Sequence, residues 1–450
     1  MITPPQAAFA PAQTILELGD AFYDSVTPAD FPQAILRFRN DRWAARIGLG
    51  DLDDAAWVRH FARFDPLPGS LPRPLALRYH GHQFRVYNPD IGDGRGFLFA
   101  QMRDDAGRLL DLGTKGSGQT PYSRFGDGRL TLKGGVREIL ATEMLEALGV
   151  ETSKSFSLIE TGEALDRGDE PSPTRSSVLV RLSHGHIRIG TFQRLAYFQD
   201  AENLRRLTDY VLRHYYADSS ADPVRLLDLV VDRTARLAGQ YMAAGFVHGV
   251  LNSDNINVAG ESFDYGPWRF VPAWDPGFTA AYFDHAGLYA FGRQAEAIHW
   301  DVFQLAICLR LLVDAEPLIA IMESFAERYA AAFRAALLWR LGVQPGANDV
   351  ALAEAIERGL ATSQTDVGGF FHASFGGAIP DRFGPAFAEA RGLLLGYTPR
   401  KARDAFWDGP VCGLLIEEVE ALWAPIAERD DWAPFYAKIE RIRALGAALA

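Results

Sequence analysis

The sequence predicts an α+β protein of two lobes, a β-rich N-terminal lobe followed by a mainly helical C-terminal lobe. Strand and helix patterns alternate over roughly the first 200 residues, whereas helical periodicity dominates afterwards. The chain has 450 residues, of which 48% are apolar, and this is enough to bury a large core. Because polar loops concentrate near the junction of the lobes, we expect a ligand-binding cleft between them.

The strand-like segments of the N-terminal lobe are short and are bounded by turn residues. The predicted strands span residues 97–102, 109–115, 155–160 and 177–182. The first two form a hairpin, because Asp104, Asp105 and Gly107 are typical turn residues. One helix is predicted over 132–148, where apolar residues recur at helical spacing and Gly149 provides a stop.

The C-terminal lobe is predicted to be helical along most of its length. The predicted helices span residues 202–218, 223–244, 296–313, 315–341, 350–360 and 384–396. Residues 255–272, with short strands and turns, interrupt them. The sequence shows no internal repeat of about 20 to 50 residues, so a solenoid or propeller is excluded.

Composition narrows the function further. The 45 basic and 57 acidic residues give a net charge of −12, so polyanions and anionic membranes would be repelled. No apolar stretch reaches the roughly 18 to 20 residues of a membrane helix, and the N-terminal segment lacks a basic signal region. Only two cysteines are present, Cys308 and Cys412, without the spacing of a zinc site. We therefore expect a cytoplasmic monomer with no nucleic-acid or membrane partner.

The tetrapeptide Gly-Asp-Gly-Arg occurs twice, at 92–95 and 126–129. Glycines allow the backbone to approach a phosphate closely, and Arg95 and Arg129 can supply bidentate positive charge. A single copy would be better explained by a tight turn with solvated charges. The duplication favours a phosphate-binding role.

Lys115 ends the second strand of the predicted hairpin, and Glu138 lies on the helix that follows. Kinase-like folds use such a strand lysine, paired with a helix glutamate, to hold nucleotide phosphates. Taken alone, the two residues are better explained as unrelated surface charges, because a Lys and a Glu at such a separation occur in most chains. Their order relative to the next motif is what makes them informative.

The most specific motif is His-Gly-Val-Leu-Asn-Ser-Asp-Asn at 248–255, followed by Asp-Tyr-Gly at 264–266. It matches the kinase catalytic loop in its histidine, leucine and asparagine, and the second tripeptide matches Asp-Phe-Gly. The oxygens of Asn255 and Asp264 are hard ligands that suit Mg²⁺ bridging nucleotide phosphates. The sequence thus predicts a bilobal protein-kinase-like fold with a nucleotide site.

One position departs from the kinase pattern. Val250 stands where a protein kinase carries its catalytic aspartate, and a valine cannot accept a proton. The nearest substitute is Asp254, which can act as a base or as a further metal ligand. The site is therefore expected to bind Mg-nucleotide without performing standard γ-phosphoryl transfer.

Together these motifs resemble the selenoprotein O family. The resemblance is carried by the segments 79–84, 92–95, 115–124, 126–129, 137–138, 183–193, 248–255 and 264–267. It is specific over roughly residues 70–300 and looser over the rest of the chain. The family resemblance implies a pseudokinase that binds ATP in a flipped orientation and transfers AMP to Ser, Thr or Tyr hydroxyls of proteins.

The resemblance also implies roles for individual residues. Asp254 corresponds to the proton acceptor, Asn255 and Asp264 to ligands of Mg²⁺ or Mn²⁺, and Lys115 and Glu138 to the catalytic ion pair. The implied ATP-binding positions are Gly92, Gly94, Arg95, Lys115, Asp127, Gly128, Arg181, Arg188 and Asp264. The implied organisation is an N-terminal extension over 1–75, a β-rich nucleotide-binding lobe over 76–200, and a helical lobe with the catalytic loops over 201–450.

Some features depart from the family or leave alternatives open. Arg85 stands where the family usually has glycine, and the redox cysteines of some members are missing, which argues against disulfide regulation. Two other functions fit the same motifs: a kinase-like phosphotransferase acting on a small molecule or protein, and a nucleotide-binding scaffold that has lost catalysis with the aspartate at position 250.

Overall fold

The computed structural model describes residues 7–168 and 170–450, and these form a mixed α/β structure with one large antiparallel sheet. The strands are β1 (Ala10–Ala12), β2 (Tyr23–Ser25), β3 (Ile35–Arg39), β4 (Leu75–Leu77), β5 (Gly81–Gln83), β6 (Val86–Asn88), β7 (Leu98–Arg103), β8 (Leu109–Lys115), β9 (Leu130–Thr131), β10 (Lys154–Leu165), β11 (Thr174–Ser183), β12 (Phe246–Val247) and β13 (Arg269–Phe270). The large sheet has the order β2-β4-β7-β8-β11-β10-β3, with β1 beside β7 and β9 beside β11. Short pairs β5-β6 and β12-β13 lie outside it.

The helices follow mainly after the sheet, with α1 and α2 between β3 and β4 and α3 between β9 and β10. They are α1 (Asp41–Arg46), α2 (Asp54–Phe61), α3 (Leu132–Ala147), α4 (Ile189–Tyr197), α5 (Ala201–Tyr215), α6 (Pro223–Ala244), α7 (Gln294–Leu309), α8 (Ala315–Glu323), α9 (Phe325–Leu341), α10 (Asp349–Ser363), α11 (Val367–Ser374), α12 (Ala388–Leu394), α13 (Ile416–Arg429) and α14 (Ala433–Leu449).

The predicted hairpin and the predicted first helix are both confirmed. Strands β7 and β8 pair from Leu98–Gly113 to Arg103–Leu109, so Lys115 lies at the end of a central strand. Helix α3 begins after Thr131, whose hydroxyl accepts a hydrogen bond from the Gly134 amide at 3.1 Å, as a helix N-cap does. This helix packs against β10 and β11, and most of its side chains are buried.

Two predicted helices are wrong in extent. The segment 315–341 is two helices, α8 and α9, because the Ser324 hydroxyl donates to the Ile321 carbonyl at 2.6 Å and so competes with the backbone ladder. The segment 384–396 contains only α12 as α-helix. Gly384, with a φ of +79°, and Pro385 start a separate single turn before it.

Both ends of the described chain pack on the sheet lobe. Strands β1 to β3 belong to the same sheet as β7 and β8. Helix α14 packs against α3, where Arg443 makes an ion pair of 2.8 Å with the buried Glu143. Helix α14 is therefore fixed to α3.

The two cysteines and the apolar character of the helices can now be compared with the sequence expectations. Cys308 and Cys412 are both free and buried, so each behaves as a small apolar side chain. Among the described residues, no helix combines the length and the apolar character that crossing a bilayer requires.

Candidate nucleotide-binding site

A cavity of about 640 Å³ opens between the sheet and the segments that follow it. Ten of the predicted site residues line it: Gly92, Gly94, Arg95, Lys115, Asp127, Gly128, Arg181, Arg188, Asp254 and Asp264. The remaining two, Glu138 and Asn255, contact residues of the lining. The structure therefore brings together in one place residues that are up to 172 positions apart, from Gly92 to Asp264.

Lys115 lies at the floor of the cavity and is only 3% exposed. Its ammonium group forms an ion pair with Glu138 of α3 and donates to the Tyr265 carbonyl at 3.2 Å. Burial lowers the pKa of Lys115 below its usual value, and the charges of Glu138 and Asp264 oppose that effect. The pairing thus keeps a desolvated cation in place at the end of β8.

Asp264 forms ion pairs with three cationic side chains. Its carboxylate lies 3.3 Å from Lys115 Nζ, 3.3 Å from Arg181 Nη1 and 3.1 Å from Arg188 Nη1. Burial alone would raise the pKa of Asp264, but the three cations outweigh it and hold the pKa well below its ordinary value. The backbone of Asp264 has a φ of +61°, a conformation that a non-glycine residue adopts at a cost.

The two arginines reach the cavity from β11 and from the start of α4. Arg181 pairs in register with Gly113 of β8. Arg188 is 3% exposed and donates to the Asp254 carbonyl at 2.7 Å, so it links the Ser253–Asn255 segment to Asp264. Its guanidinium also lies 4.7 Å from the centre of the Phe263 ring. Contacts within the protein therefore hold both arginines in place.

Asp254 belongs to a 3-10 turn over Ser253–Asn255 at the edge of the cavity. Burial raises its pKa to about 6, while Arg188 opposes the rise. Its Oδ1 atom is buried and has no hydrogen-bond partner among the described residues. An unsatisfied buried carboxylate oxygen is costly, and a substrate hydroxyl or a cation would satisfy it.

The turn that carries Asp254 is held by the β5-β6 hairpin. Ser253 Oγ accepts from the His82 amide at 2.7 Å, and Asn252 Oδ1 accepts from the Phe84 amide at 3.0 Å. The hairpin turns at Phe84 and Arg85, with φ values of +51° and +63°. This left-handed pair explains why glycine is favoured at position 85, although the chain accommodates arginine there.

The predicted metal ligands are adjacent. Asn255 Nδ2 donates to the Asp264 carboxylate at 3.3 Å, so the two side chains are in direct contact. Among the described residues, no group of three or more His, Cys, Asp or Glu side chains is arranged so that it could hold a metal ion by itself. Two oxygen donors fit Mg²⁺, which proteins commonly hold by one or two carboxylates together with substrate phosphates.

Gly92 and Gly128, one in each Gly-Asp-Gly copy, lie so close to neighbouring residues that a side chain at either position would clash. A Cβ on Gly92 would lie 2.5 Å from the Tyr122 ring. A Cβ on Gly128, whose φ is +71°, would lie 2.3 Å from the Gly118 backbone. The two loops therefore pack against the segment 118–122, and this tight packing requires both Gly-Asp-Gly copies.

The two arginines of the repeated tetrapeptides differ in their surroundings. Arg129 makes a bidentate ion pair with Glu163, at 2.9 Å for both of its donor atoms. Arg95 is exposed at the cavity and makes no ion pair among the described residues. Asp127 is bound by Arg167 at 2.9 Å. Of the two arginines, only Arg95 is available to a ligand.

Two site residues were not assigned from the sequence. Asp93 is aligned by the Leu77 amide at 3.0 Å and lies 3.5 Å from Arg188, and burial raises its pKa. Tyr122 lies over Gly92 and forms a hydrogen bond to Asp24. Both could have been assigned from the sequence, because Asp93 lies inside the first Gly-Asp-Gly-Arg copy and Tyr122 lies shortly before the second.

Comparisons with known proteins identify the family of the chain. Residues 6–377 match the model of the family described as protein adenylyltransferase SelO. A protein nucleotidyltransferase YdiU of Gloeobacter violaceus is 45% identical over 95% of this chain and 93% of its own length. Proteins of the same name from Synechococcus elongatus (51% identity, 75% and 69% coverage) and Vibrio cholerae (37%, 72% and 66%) are also similar.

These matches place the chain among the nucleotidyltransferase enzymes. More narrowly, the chain belongs to the protein adenylyltransferase SelO family.

Proposed function

We propose that this protein transfers AMP from ATP to the Ser, Thr or Tyr hydroxyls of proteins, in a metal-dependent reaction at the cavity described above. The observation that carries the proposal is the convergence of Lys115, Arg181 and Arg188 on one carboxylate. Glu138 and Asp93 also pair with Lys115 and Arg188. Arg95, at the same cavity, makes no ion pair among the described residues. Together these cations provide the charged donors that bind the oxygens of a triphosphate.

In the proposed reaction the acceptor hydroxyl oxygen attacks the α-phosphorus. The bond from that phosphorus to the α–β bridging oxygen breaks, and pyrophosphate leaves. Asp254 accepts the hydroxyl proton, since its pKa of about 6 leaves it ionised at neutral pH and its Oδ1 has no other partner. Lys115, Arg181 and Arg188 hold the phosphate oxygens and stabilise the charge that develops on them.

The absence of an aspartate at position 250 supports attack at the α-phosphate. Val250 cannot serve as a base for γ-phosphoryl transfer, whereas Asp254 lies four residues further along, on the cavity wall. ATP bound in a flipped orientation, with its α-phosphate near Asp254, accounts for both features. Gly92, Gly94, Arg95, Asp127 and Gly128 complete the proposed ATP site.

Asn255 and Asp264 would hold the metal ion, Mg²⁺ or Mn²⁺. Such an ion supplies Lewis-acid neutralisation of the phosphate charge. Asp264 is already oriented by three cations, and Asn255 by its hydrogen bond to Asp264. These contacts keep the two proposed ligands side by side at the cavity.

The proposed architecture is a bilobal kinase-like fold. Its support is the antiparallel sheet with the embedded helix α3, the Lys115–Glu138 pair, and the mainly helical segment that follows. The proposed division places an extension over 1–75, the nucleotide lobe over 76–200 and the helical lobe over 201–450.

Labelled nucleotide tests the function. The protein is incubated with Mg²⁺ and ATP labelled at either the α or the γ phosphate, with and without a model acceptor protein such as casein. We expect α label, and no γ label, to become covalently attached to protein. Asp254→Asn should abolish attachment, and Asp275→Asn, an exposed aspartate outside the cavity, should not.

The other outcomes identify the alternatives. Attachment of γ label would make the protein a phosphotransferase. Tight ATP binding without any attached label would make it a nucleotide-binding scaffold.

A further inference from the structure

A second cavity, of about 400 Å³, lies between α3, α6, α11, α14 and the segment 407–418. It shares no lining residue with the nucleotide cavity. Its walls are mostly apolar and include Met144, Leu148, Phe371, Trp407, Leu445 and Leu449. A concave apolar volume of this size is in the range of small-molecule sites.

One buried cation lines this apolar cavity. Arg340 of α9 is 6% exposed, and its guanidinium lies 3.9 Å from the centre of the Phe371 ring. Its Nη1 donates to the Ala243 carbonyl. Within residues 7–168 and 170–450 it makes no ion pair and no other side-chain hydrogen bond. Most of its five N–H donors therefore lack a protein acceptor, which is unusual for a buried arginine.

The carboxylates around this cavity do not neutralise Arg340 directly. Asp366 is exposed and caps α11 by accepting from the Gly369 amide at 2.7 Å. Glu418 is ion-paired with Lys438, and Glu417 is exposed. Acidic groups at the rim disfavour polyanions such as nucleotides, whereas the arginine inside favours one compact negative group.

We propose that this cavity binds an amphipathic monocarboxylate, with the apolar chain among the α3, α11 and α14 side chains and the carboxylate on Arg340. A planar guanidinium with free donors matches a carboxylate in bidentate geometry. The apolar walls bury the chain of the ligand and supply the binding energy. The site is independent of the proposed AMP transfer.

Calorimetric titration of the full chain with decanoate tests the proposal, with decanol as the neutral comparator. We expect decanoate to bind at one site, at least tenfold more tightly than decanol. Absence of decanoate binding, or equal affinity for the two compounds, would overturn the proposal.

Two glycine substitutions locate the site. Gly413 lines the cavity, and a Cβ there would meet no atom within 4 Å, so Gly413→Leu adds an apolar side chain at the cavity wall where its Cβ has room. We expect it to weaken decanoate binding at least tenfold. Gly392 in α12 is equally open but lies outside the cavity, so Gly392→Leu should bind decanoate like the unsubstituted protein. Unchanged binding in Gly413→Leu would place the ligand elsewhere and refute the site.

Arg340→Met tests the head-group contact. It keeps most of the side-chain volume and removes the charge, so decanoate affinity should fall to that of decanol while decanol affinity stays unchanged. Retention of the decanoate preference would refute the role of Arg340. If this variant does not fold, the comparison of decanoate with decanol and the Gly413→Leu result decide the proposal.

Discussion

Asp264 Oδ1 lies 3.3 Å from Lys115 Nζ, so the proposed metal ligand and the proposed phosphate-binding lysine are already paired without nucleotide. The same carboxylate meets Arg181 and Arg188. It therefore holds together three cations that would otherwise repel one another.

Replacing Asp264 with asparagine should remove this anion with little change in shape. We expect AMP transfer to fall at least ~100-fold, since both metal binding and phosphate positioning are lost. The loss is measured as initial rate with α-labelled ATP. Asp275→Asn serves as the matched control, and a rate within a few-fold of the unsubstituted protein would remove Asp264 from the site.

The Lys115–Glu138 pair should show coupled effects on stability. Lys115→Met leaves the buried Glu138 without its partner, and breaking such a pair costs about 3 to 5 kcal/mol. The double variant Lys115→Met/Glu138→Leu should recover much of that unfolding free energy in urea titrations. It should remain inactive in AMP transfer. A single variant as stable as the unsubstituted protein would contradict the pairing.

Gly128→Ala should weaken ATP binding at least tenfold, because its Cβ would lie 2.3 Å from the Gly118 backbone and displace the loop. Gly107→Ala is the control, since Gly107 has a similar φ of +77° but nothing within 4 Å. This control should lose only about 1 kcal/mol of stability through the positive φ and retain ATP affinity. Calorimetry with ATP distinguishes the two, and equal affinities would argue against steric packing of the loop.

Asp430 should make stability depend on acid pH. Burial opposes the shift, but hydrogen bonds from Arg175 and Trp432 and the charge of Arg37 lower the pKa of Asp430 to about 2. Because the folded pKa lies below the unfolded value, the stabilisation is present above about pH 4 and disappears as pH falls toward 2.

The comparison with Asp430→Asn measures this contribution. Asparagine tolerates the left-handed backbone at this position, where φ is +53°. The variant should be about 0.5 to 1 kcal/mol less stable at neutral pH, as for a partly exposed pair, and equally stable near pH 2. Asp51→Asn in an exposed loop is the control. A difference that does not change with pH would show that Asp430 acts by other means.

Local sequence signals predicted some elements accurately. Helix α6 spans 223–244 as predicted, because the Asp222 cap, Pro223 and the left-handed Gly245 mark both ends. The break at Ser324 was missed because it depends on one side-chain hydrogen bond inside an alanine-rich pattern. Propensity does not reveal such a local competition.

The sequence predicted which motifs form the candidate site, but it did not predict which of their side chains pair with one another. The sequence placed Lys115, Asp254 and Asp264 in recognisable motifs. The repeated tetrapeptide alone could not separate Arg95 from Arg129, and only the family resemblance named Arg95. The physical difference is that Arg129 is occupied by Glu163, 34 residues away in sequence. Nor did the sequence indicate Arg340, because a lone arginine in a helix has no pattern that distinguishes a buried position from an exposed one.

Helix α3 connects Glu138 to the last helix of the fold. Glu143, the partner of Arg443, lies five residues beyond Glu138, about 7.5 Å along the helix axis. An α-helix moves as a stiff rod over this distance. A movement of α3 that withdrew Glu138 from Lys115 would therefore also displace Glu143 from Arg443, on a helix some 300 residues further along the chain.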